Sequence, residues 1–405
     1  MLIKEKDLNN LLGILIGLYF LFSSLDYLLK LSSGASYLRI VGIAIYFFAA
    51  VRVMLFFNVS RLRMAHVYMF FLMAYPFLAS LWAVDFGSAI NRSFTIATTI
   101  LIVFLSAEID FSAKQIKIIE FLAVLGAVIA GIKFVQSQGL QQFLAGRRLY
   151  LSGDMDTSDP NGMAARLFLP LVLSCKRIND SNTFVQKAFA ACVFLFLLAL
   201  YLMCGSRGAM VGLILAVIVF LLVRAKNNIS KSIKLMVLFL LVCLVFVAFA
   251  DKVFPSYIYE RLFQAKSYTD PTSRFFLWKY FLQDIYLQAP FFGFGPFGVY
   301  YKLGVLVARD YYAMHNAYLC MLGEYGIVYL PVFLLFLSTV WKRIVSNQNN
   351  SAIVAFVGIC VIIFFLDGYE TKYFWNMILY CMLTSNTLEA QKKIATAEHA
   401  RALES

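Results

Sequence analysis

The chain has 405 residues, of which 62% are hydrophobic and 14% charged, with a formal net charge of +13 and a mean hydropathy of +0.79. Water-soluble globules carry about 25% charged residues, so that class is excluded. The basic excess therefore needs a topological explanation before a nucleic-acid one.

Apolar runs recur near the ~20 residues that cross a bilayer core as helix, and strand alternation is absent. Lipid offers backbone groups no hydrogen-bond partners, so the expected architecture is an all-α, polytopic membrane bundle. About twelve spans are expected, near residues 8–29, 38–57, 64–82, 94–107, 116–135, 162–175, 187–203, 209–223, 233–250, 316–340, 351–366 and 374–388. With the N-terminus inside, the interior connections carry Arg52, Arg61, Arg63, Lys114, Lys117, Lys176, Arg177, Lys187, Arg224, Lys226, Lys231, Lys234, Lys342 and Arg343. The short outer connections hold only Lys30, Arg39, Arg92 and Lys372.

This asymmetry is what the positive-inside rule predicts. It places both termini in the cytoplasm and assigns the charge to membrane orientation, with no nucleic-acid partner. The chain then divides into a bundle over 1–250, an outer cap over 251–315, late spans over 316–390 and a polar tail over 391–405. No cleavable signal peptide is expected: residues 1–10 are charged and polar, and the following run has the length of a span. The seven cysteines lie within or at the ends of apolar segments, with no close-spaced pair to suggest zinc or a disulfide framework.

The first five spans read as scaffold. Tyr75 and Trp82 sit where interfacial aromatics would, and Asp85, Asn91 and Arg92 read as a short outer turn. The next outer loop, 136–161, carries Arg147 and Arg148, then Asp154, Asp156, Asp159, Pro160 and Asn161. Three aspartates this close suit a hard cation. The spacing is not that of an EF-hand, and Asp159-Pro160-Asn161-Gly162 reads better as a turn capping the next helix. Arg166, one turn inside that helix, is expected to face the protein interior, where it can be paired. In the tight hairpin Cys204-Gly205-Ser206-Arg207-Gly208, Arg207 has two readings: snorkelling to headgroups, or binding an anion that the flanking glycines let approach.

The cap holds the densest chemistry. Thr272 or Ser273 reads as the cap of an aromatic amphipathic helix carrying Arg274, Trp278 and Lys279, suited to the membrane interface. Gly293, Gly295, Pro296 and Gly298 demand irregular backbone without the dinucleotide-binding spacing. Arg309 precedes His315, which with Asn316 stands at the outer mouth of a span. The chain has three histidines, and His66 and His399 lie at the cytoplasmic edge and in the tail. An imidazole at this mouth is an interfacial polar residue or a general base near neutral pH. Glu324, about two and a half helical turns on, is an intramembrane carboxylate, expensive unless it is paired or functional.

His315-Asn316 followed by Gly326, preceded by Gly293-x-Gly295-Pro296, the Ser273-Arg274 to Trp278 helix, the Ser206-Arg207-Gly208 hairpin and Asp159-Pro160-Asn161, resembles the bacterial O-antigen ligase and polymerase superfamily. The resemblance covers roughly residues 145–345. It implies a GT-C-like bundle in the bacterial inner membrane with its active site on the periplasmic side. It also implies a glycosyltransferase that takes a glycan from undecaprenyl diphosphate and needs neither metal nor other cofactor. A ligase passes the glycan to lipid A–core; a polymerase passes it to a second carrier-linked repeat. Tyr329 stands where many ligases have another glycine.

The roles that follow are His315 as base, Arg207 and Arg274 on the diphosphate with Arg147, Arg148 or Arg309 added, and Asn316, Glu324, Asp159 and Asn161 in support. A transporter is the rival reading, but transporters place polar groups near the midplane, often in repeated halves. Here the groups gather at one face and no repeat is visible. A non-catalytic partner in glycan export is a third reading, one in which His315 is dispensable.

Overall fold

The computed structural model describes residues 4–26, 28–29, 36–56, 63–136, 141, 159–225, 229–253, 256–263 and 273–404. Among them the regular elements are helices: α1 (Glu5–Leu25), α2 (Tyr37–Phe56), α3 (Met64–Ala79), α4 (Phe86–Ser106), α5 (Ala113–Phe134), α6 (Pro160–Asp180), α7 (Phe184–Met203) and α8 (Arg207–Ala225). These are followed by α9 (Ile229–Val253), α10 (Ser256–Phe263), α11 (Arg274–Tyr280), α12 (Gly298–Leu306), α13 (Ala317–Ser346), α14 (Asn350–Phe364) and α15 (Lys372–Glu404).

Among the described residues, seven stretches are long and apolar enough to cross a membrane: Glu5–Leu25, Tyr37–Phe56, Met64–Trp82, Phe86–Ser106, Ala113–Phe134, Phe184–Met203 and Ala317–Ser346. Two shorter apolar helices, Arg207–Val223 and Asn350–Phe364, accompany them. The protein is thus a polytopic helical membrane protein. The expected count of twelve is not reached on length and composition alone, because α6 carries Arg166, Lys176 and Arg177 and α15 runs on into a polar tail.

One expectation is corrected outright. Arg92 does not lie in an outer turn but in the second turn of α4, a 21-residue helix that starts at Phe86 instead of near residue 94. Asp85 begins it as N-cap, accepting from the Ser88 amide. Hydropathy excluded Arg92 from a span because a lone arginine in lipid is costly. The cost is met inside the bundle, by partners described below.

The core is organised around α15, which touches α1, α4, α5, α6, α13 and α14. Its residues 374–387 are buried almost without interruption, as expected of a helix with neighbours all round. Where polar side chains occur on it, they find backbone acceptors: the Asn386 amide donates to the carbonyl of Ala107 and the Thr387 hydroxyl to that of Phe111. At the margin, α1 packs on α5, and a Cβ on Gly126 would come 2.4 Å from the Leu21 carbonyl oxygen, so only glycine allows that approach. By contrast, α9 rests on α8 and α10 and leaves Leu238, Leu241, Leu244 and Phe249 exposed, an apolar flank fit for acyl chains.

Candidate active site

The segment before α13 is held from three sides. In α11, Ser273 caps as expected, its hydroxyl accepting from the Phe276 amide. Leu277, Phe281 and Ile285 then form the buried stripe, at the helical spacing of four. Trp278 projects beside it, with its ring 5.4 Å from that of Phe364, and its indole N–H donates to the Met314 carbonyl at 3.0 Å.

One residue later, His315 takes a left-handed backbone conformation, φ 54°, which costs a non-glycine residue about 1–2 kcal/mol. The carboxylate of Asp367, in the turn between α14 and α15, holds that conformation. Its Oδ2 accepts the His315 amide and its Oδ1 the Asn316 amide, both at 2.9 Å. Asn316 completes the arrangement as N-cap of α13, its side-chain oxygen accepting from the Leu319 amide at 3.0 Å.

Charges of both signs surround the partly buried imidazole. Burial pushes its pKa below the ordinary histidine value and Arg274 adds to that effect, while Asp367 and Asp159 oppose it. The net direction is down, toward a neutral ring able to accept a proton. Asp159 reaches this neighbourhood as the N-cap of α6, accepting from the Asn161 and Gly162 amides at 3.0 and 3.1 Å. That geometry satisfies the turn-and-cap expectation. Asp154 and Asp156 lie outside the described residues, as do Arg147 and Arg148.

Arg207 opens α8 at the same end of the bundle. A Cβ on its neighbour Gly208 would stand 2.5 Å from the Phe365 side chain, two residues before Asp367. Arg309 is exposed, its guanidinium 5.5 Å from the Tyr312 ring centre, and that ring in turn lies 6.3 Å from the His315 ring. Arg166 faces the interior as expected, lining a small recess with Ser23, Ser24, Tyr373 and Asn376.

Behind this cluster the bundle does something unusual with its backbone. In a regular helix the amides of Ile327 and Val328 would bond to the carbonyls of Gly323 and Glu324. Here α13 breaks at Gly326, φ 71° and ψ −172°, and residues 290–295 of the cap thread into the break. Ile327 N–H donates to the Pro290 carbonyl at 3.0 Å and Val328 N–H to that of Phe291 at 3.5 Å. The vacated carbonyls of Gly323 and Glu324 accept from Phe294 and Gly295 at 2.9 and 2.8 Å. Every group freed by the kink is thereby reused, as buried backbone requires. The glycines have no substitute here: a Cβ would come 2.4 Å from the Glu324 carbonyl carbon at Gly293 and 2.0 Å from the Phe291 oxygen at Gly326.

Glu324, fully buried at the break, is therefore a pairing residue. Its Oε1 lies 2.9 Å from Arg92 Nη1 and accepts the Phe297 amide at 2.9 Å. Its Oε2 accepts the Tyr369 hydroxyl at 2.7 Å. Arg92 also pairs with Glu370 through Nε and lies over the rings of Phe297 and Tyr300, 4.3 and 4.8 Å from their centres. Tyr369 and Glu370 belong to the same turn as Asp367. One buried network thus ties α4, the threaded loop, the break in α13 and the turn that grips His315.

Sequence reasoning missed Asp367, Tyr369, Glu370 and the true place of Arg92. The available signal was a second cluster of acids, Asp367 and Glu370, at the mouth of a late span, where unpaired carboxylates are costly. Among the described residues there is no cluster of His, Cys, Asp and Glu that could hold a metal ion.

Residues 191–337 match the model of the Wzy_C family, described as O-antigen ligase. That stretch includes Arg207, Arg274, the threaded loop, His315, Glu324 and the broken helix. No curated protein matches the chain. Arg207, Arg274 and His315 open their helices or spans at one end of the bundle, and the segment that carries them is the segment over which the chain is similar to the O-antigen ligase family.

Proposed function

We propose that this protein is a lipid-dependent glycosyltransferase of the O-antigen ligase type, acting at the periplasmic face of the bacterial inner membrane. It would move a glycan from undecaprenyl diphosphate to a sugar hydroxyl of lipid A–core. The observation that carries the reading is the Asp367 clamp, which fixes the backbone that bears the His315 imidazole at the mouth of a span, amid the charges of Arg274 and Asp159.

The chemistry asks for little beyond this. A diphosphate is already a good leaving group, so the tasks are to stabilise its growing charge and to align the acceptor hydroxyl. In the proposed step the acceptor oxygen bonds to the anomeric carbon from the face opposite the diphosphate, and the anomeric carbon–oxygen bond to phosphate breaks. His315 takes the hydroxyl proton and later releases it to water; the carrier diphosphate departs with the bonding pair, giving inversion. Arg207 and Arg274 suit the diphosphate because a guanidinium stays charged and binds phosphate oxygens in pairs. Arg309 is the further candidate among the described residues.

Polymerisation of carrier-linked repeats is the second reading, favoured by Tyr329. Its ring fills the space of the expected glycine and its hydroxyl donates to the Leu72 carbonyl at 3.1 Å, closing a gap between α13 and α3. The deciding experiment incubates purified protein with a carrier-linked glycan and either lipid A–core or a second carrier-linked repeat. Growth of the lipid A–core product supports the ligase, and growth of the carrier-linked product the polymerase. His315→Ala should abolish either product while the protein melts as before; undiminished transfer by that variant removes the base.

A further inference from the structure

At the end of the bundle away from His315, α3, α13 and α15 enclose a cavity of about 150 Å³. Its walls are Met64, Ala65, Val340, Cys381 and Met382, with Thr339 and Ser385 among them and Arg63 and Arg343 at its edge. Thr339 to Arg343 lie 23 to 27 residues along α13 from its start, about 35–40 Å from the His315 end at 1.5 Å per residue. The cavity is therefore separate from the proposed active site. It is open on one side, so a ligand larger than the cavity can enter it in part, its apolar end against Met64, Val340, Cys381 and Met382 and its polar end at the rim.

Two further observations say what kind of ligand. First, unsatisfied polar atoms gather here. Of the seven buried side-chain atoms without a hydrogen-bond partner among the described residues, four belong to Ser106, Glu108, Ser385 and Asn386. Asn386 donates to the carbonyls of Ala107 and Ile109, so the four lie around one junction of α4 and α15. Ser385 is fully buried and lines the cavity. Its hydroxyl can donate, whereas the idle Glu108 Oε1 is an acceptor with only Arg63 Nε at 3.4 Å and His66 Nε2 at 3.9 Å nearby.

Second, the rim carries both signs in balance. Glu389 takes both nitrogens of an Arg343 fork at 2.7 and 2.9 Å and Arg63 Nη1 at 3.3 Å. Asn347 adds a bond to the same carboxylate at 3.1 Å. A purely anionic ligand would have to compete with Glu389 for these guanidiniums. A zwitterion brings its own cation for the carboxylates and its own phosphate for the arginines, and so fits without displacing either.

We propose that this cavity anchors one phosphatidylethanolamine molecule by its glycerol and the first carbons of one acyl chain, the rest of the lipid lying outside it. The upper acyl chain and glycerol lie against Met64, Val340, Cys381 and Met382; an ester oxygen accepts from Ser385. The phosphate meets the free N–H groups of Arg63 and Arg343 at the rim, and the ammonium meets the idle Glu108 Oε1. A primary ammonium matters because it donates hydrogen bonds that the trimethylated head of phosphatidylcholine cannot.

The test uses the full chain in detergent, titrated with phosphatidylethanolamine, phosphatidylcholine or phosphatidylglycerol of identical acyl chains and read by native mass spectrometry. One phosphatidylethanolamine per chain should be retained, about tenfold more tightly than either competitor, the size expected for one charge-assisted hydrogen bond. Val340→Phe should fill the cavity and abolish retention, and Ser385→Ala should weaken it several-fold with the melting temperature little changed. If Val340→Phe does not fold, Ser385→Ala carries the decision. Equal retention of all three lipids, tighter binding of phosphatidylglycerol, or undiminished retention by a folded Ser385→Ala protein would each overturn the proposal.

Discussion

Replacing Asp367 by Asn tests the clamp on His315 most directly. The wild-type carboxylate offers an oxygen to each of two adjacent amides at 2.9 Å. An amide side chain has one oxygen, so one bond survives and the other amide faces an N–H₂ group. A hydrogen bond to a charged group contributes about 1.5–3 kcal/mol, while the left-handed backbone at His315 stores about 1–2 kcal/mol pressing the other way. The surviving bond, now to a neutral amide, contributes about 0.5–1.5 kcal/mol and the unpaired amide costs about 1–3 kcal/mol, so with the strain the balance tips to relaxed conformations by about 1.5–3 kcal/mol. The competent population falls, and a shift of 1.5–3 kcal/mol is roughly 10–100-fold. The expected result is a 10–100-fold lower kcat for glycan transfer, with donor KM changed far less and thermal melting within a few degrees, because the turn stays anchored through Tyr369 and Glu370. Transfer within twofold of wild type would refute the argument, as would a loss confined to KM.

Three further outcomes are expected. Arg92→Met strands Glu324 beside Glu370 in a fully buried place and should destabilise the protein by about 3–5 kcal/mol. Melting in detergent measures this, and a shift of a degree or less would show that the network is slack. Gly326→Ala meets both a positive φ and the Phe291 oxygen at 2.0 Å, so it should lower the melting temperature and transfer together; a wild-type melting curve would contradict the threaded loop. The pKa of His315 is lowered from 6.5, so the acid limb of kcat/KM, which reports the free enzyme, should have its midpoint below 6.5. Since the unfolded chain binds that proton first, stability should also decline as pH falls from about 6.5 to the folded pKa and level off below it. An acid limb centred above 6.5 would argue that the ring is not buried or not the base.

What the sequence made legible was local. A cap at Thr272 or Ser273 and another in the Asp159 turn are read from the few residues that follow them, and Ser273 and Asp159 do cap. The glycines at 293 and 295 announce irregular backbone, and His315 stands out because histidines are so few. The misses are long-range. Asp367 grips an amide 52 positions away and Arg92 pairs with a glutamate 278 positions away; no window along the chain sees such partners. Arg92 was also actively misleading, since a hydropathy scale penalises a charge without knowing that it will be neutralised. That one residue displaced the start of α4 by about two turns.

The splice of residues 290–295 into the broken span has a mechanical consequence. A helix normally carries its own stiffness, but α13 is completed at Gly326 by bonds from another part of the chain. Any rocking of the outer segment must therefore open or shear the span itself. The two regions are expected to exchange their buried amide protons with solvent deuterium as one unit, the slow amides of Ile327 and Val328 released together with those of Phe294 and Gly295. A substrate seated against the cap would then be sensed along the whole helix, down to the far leaflet.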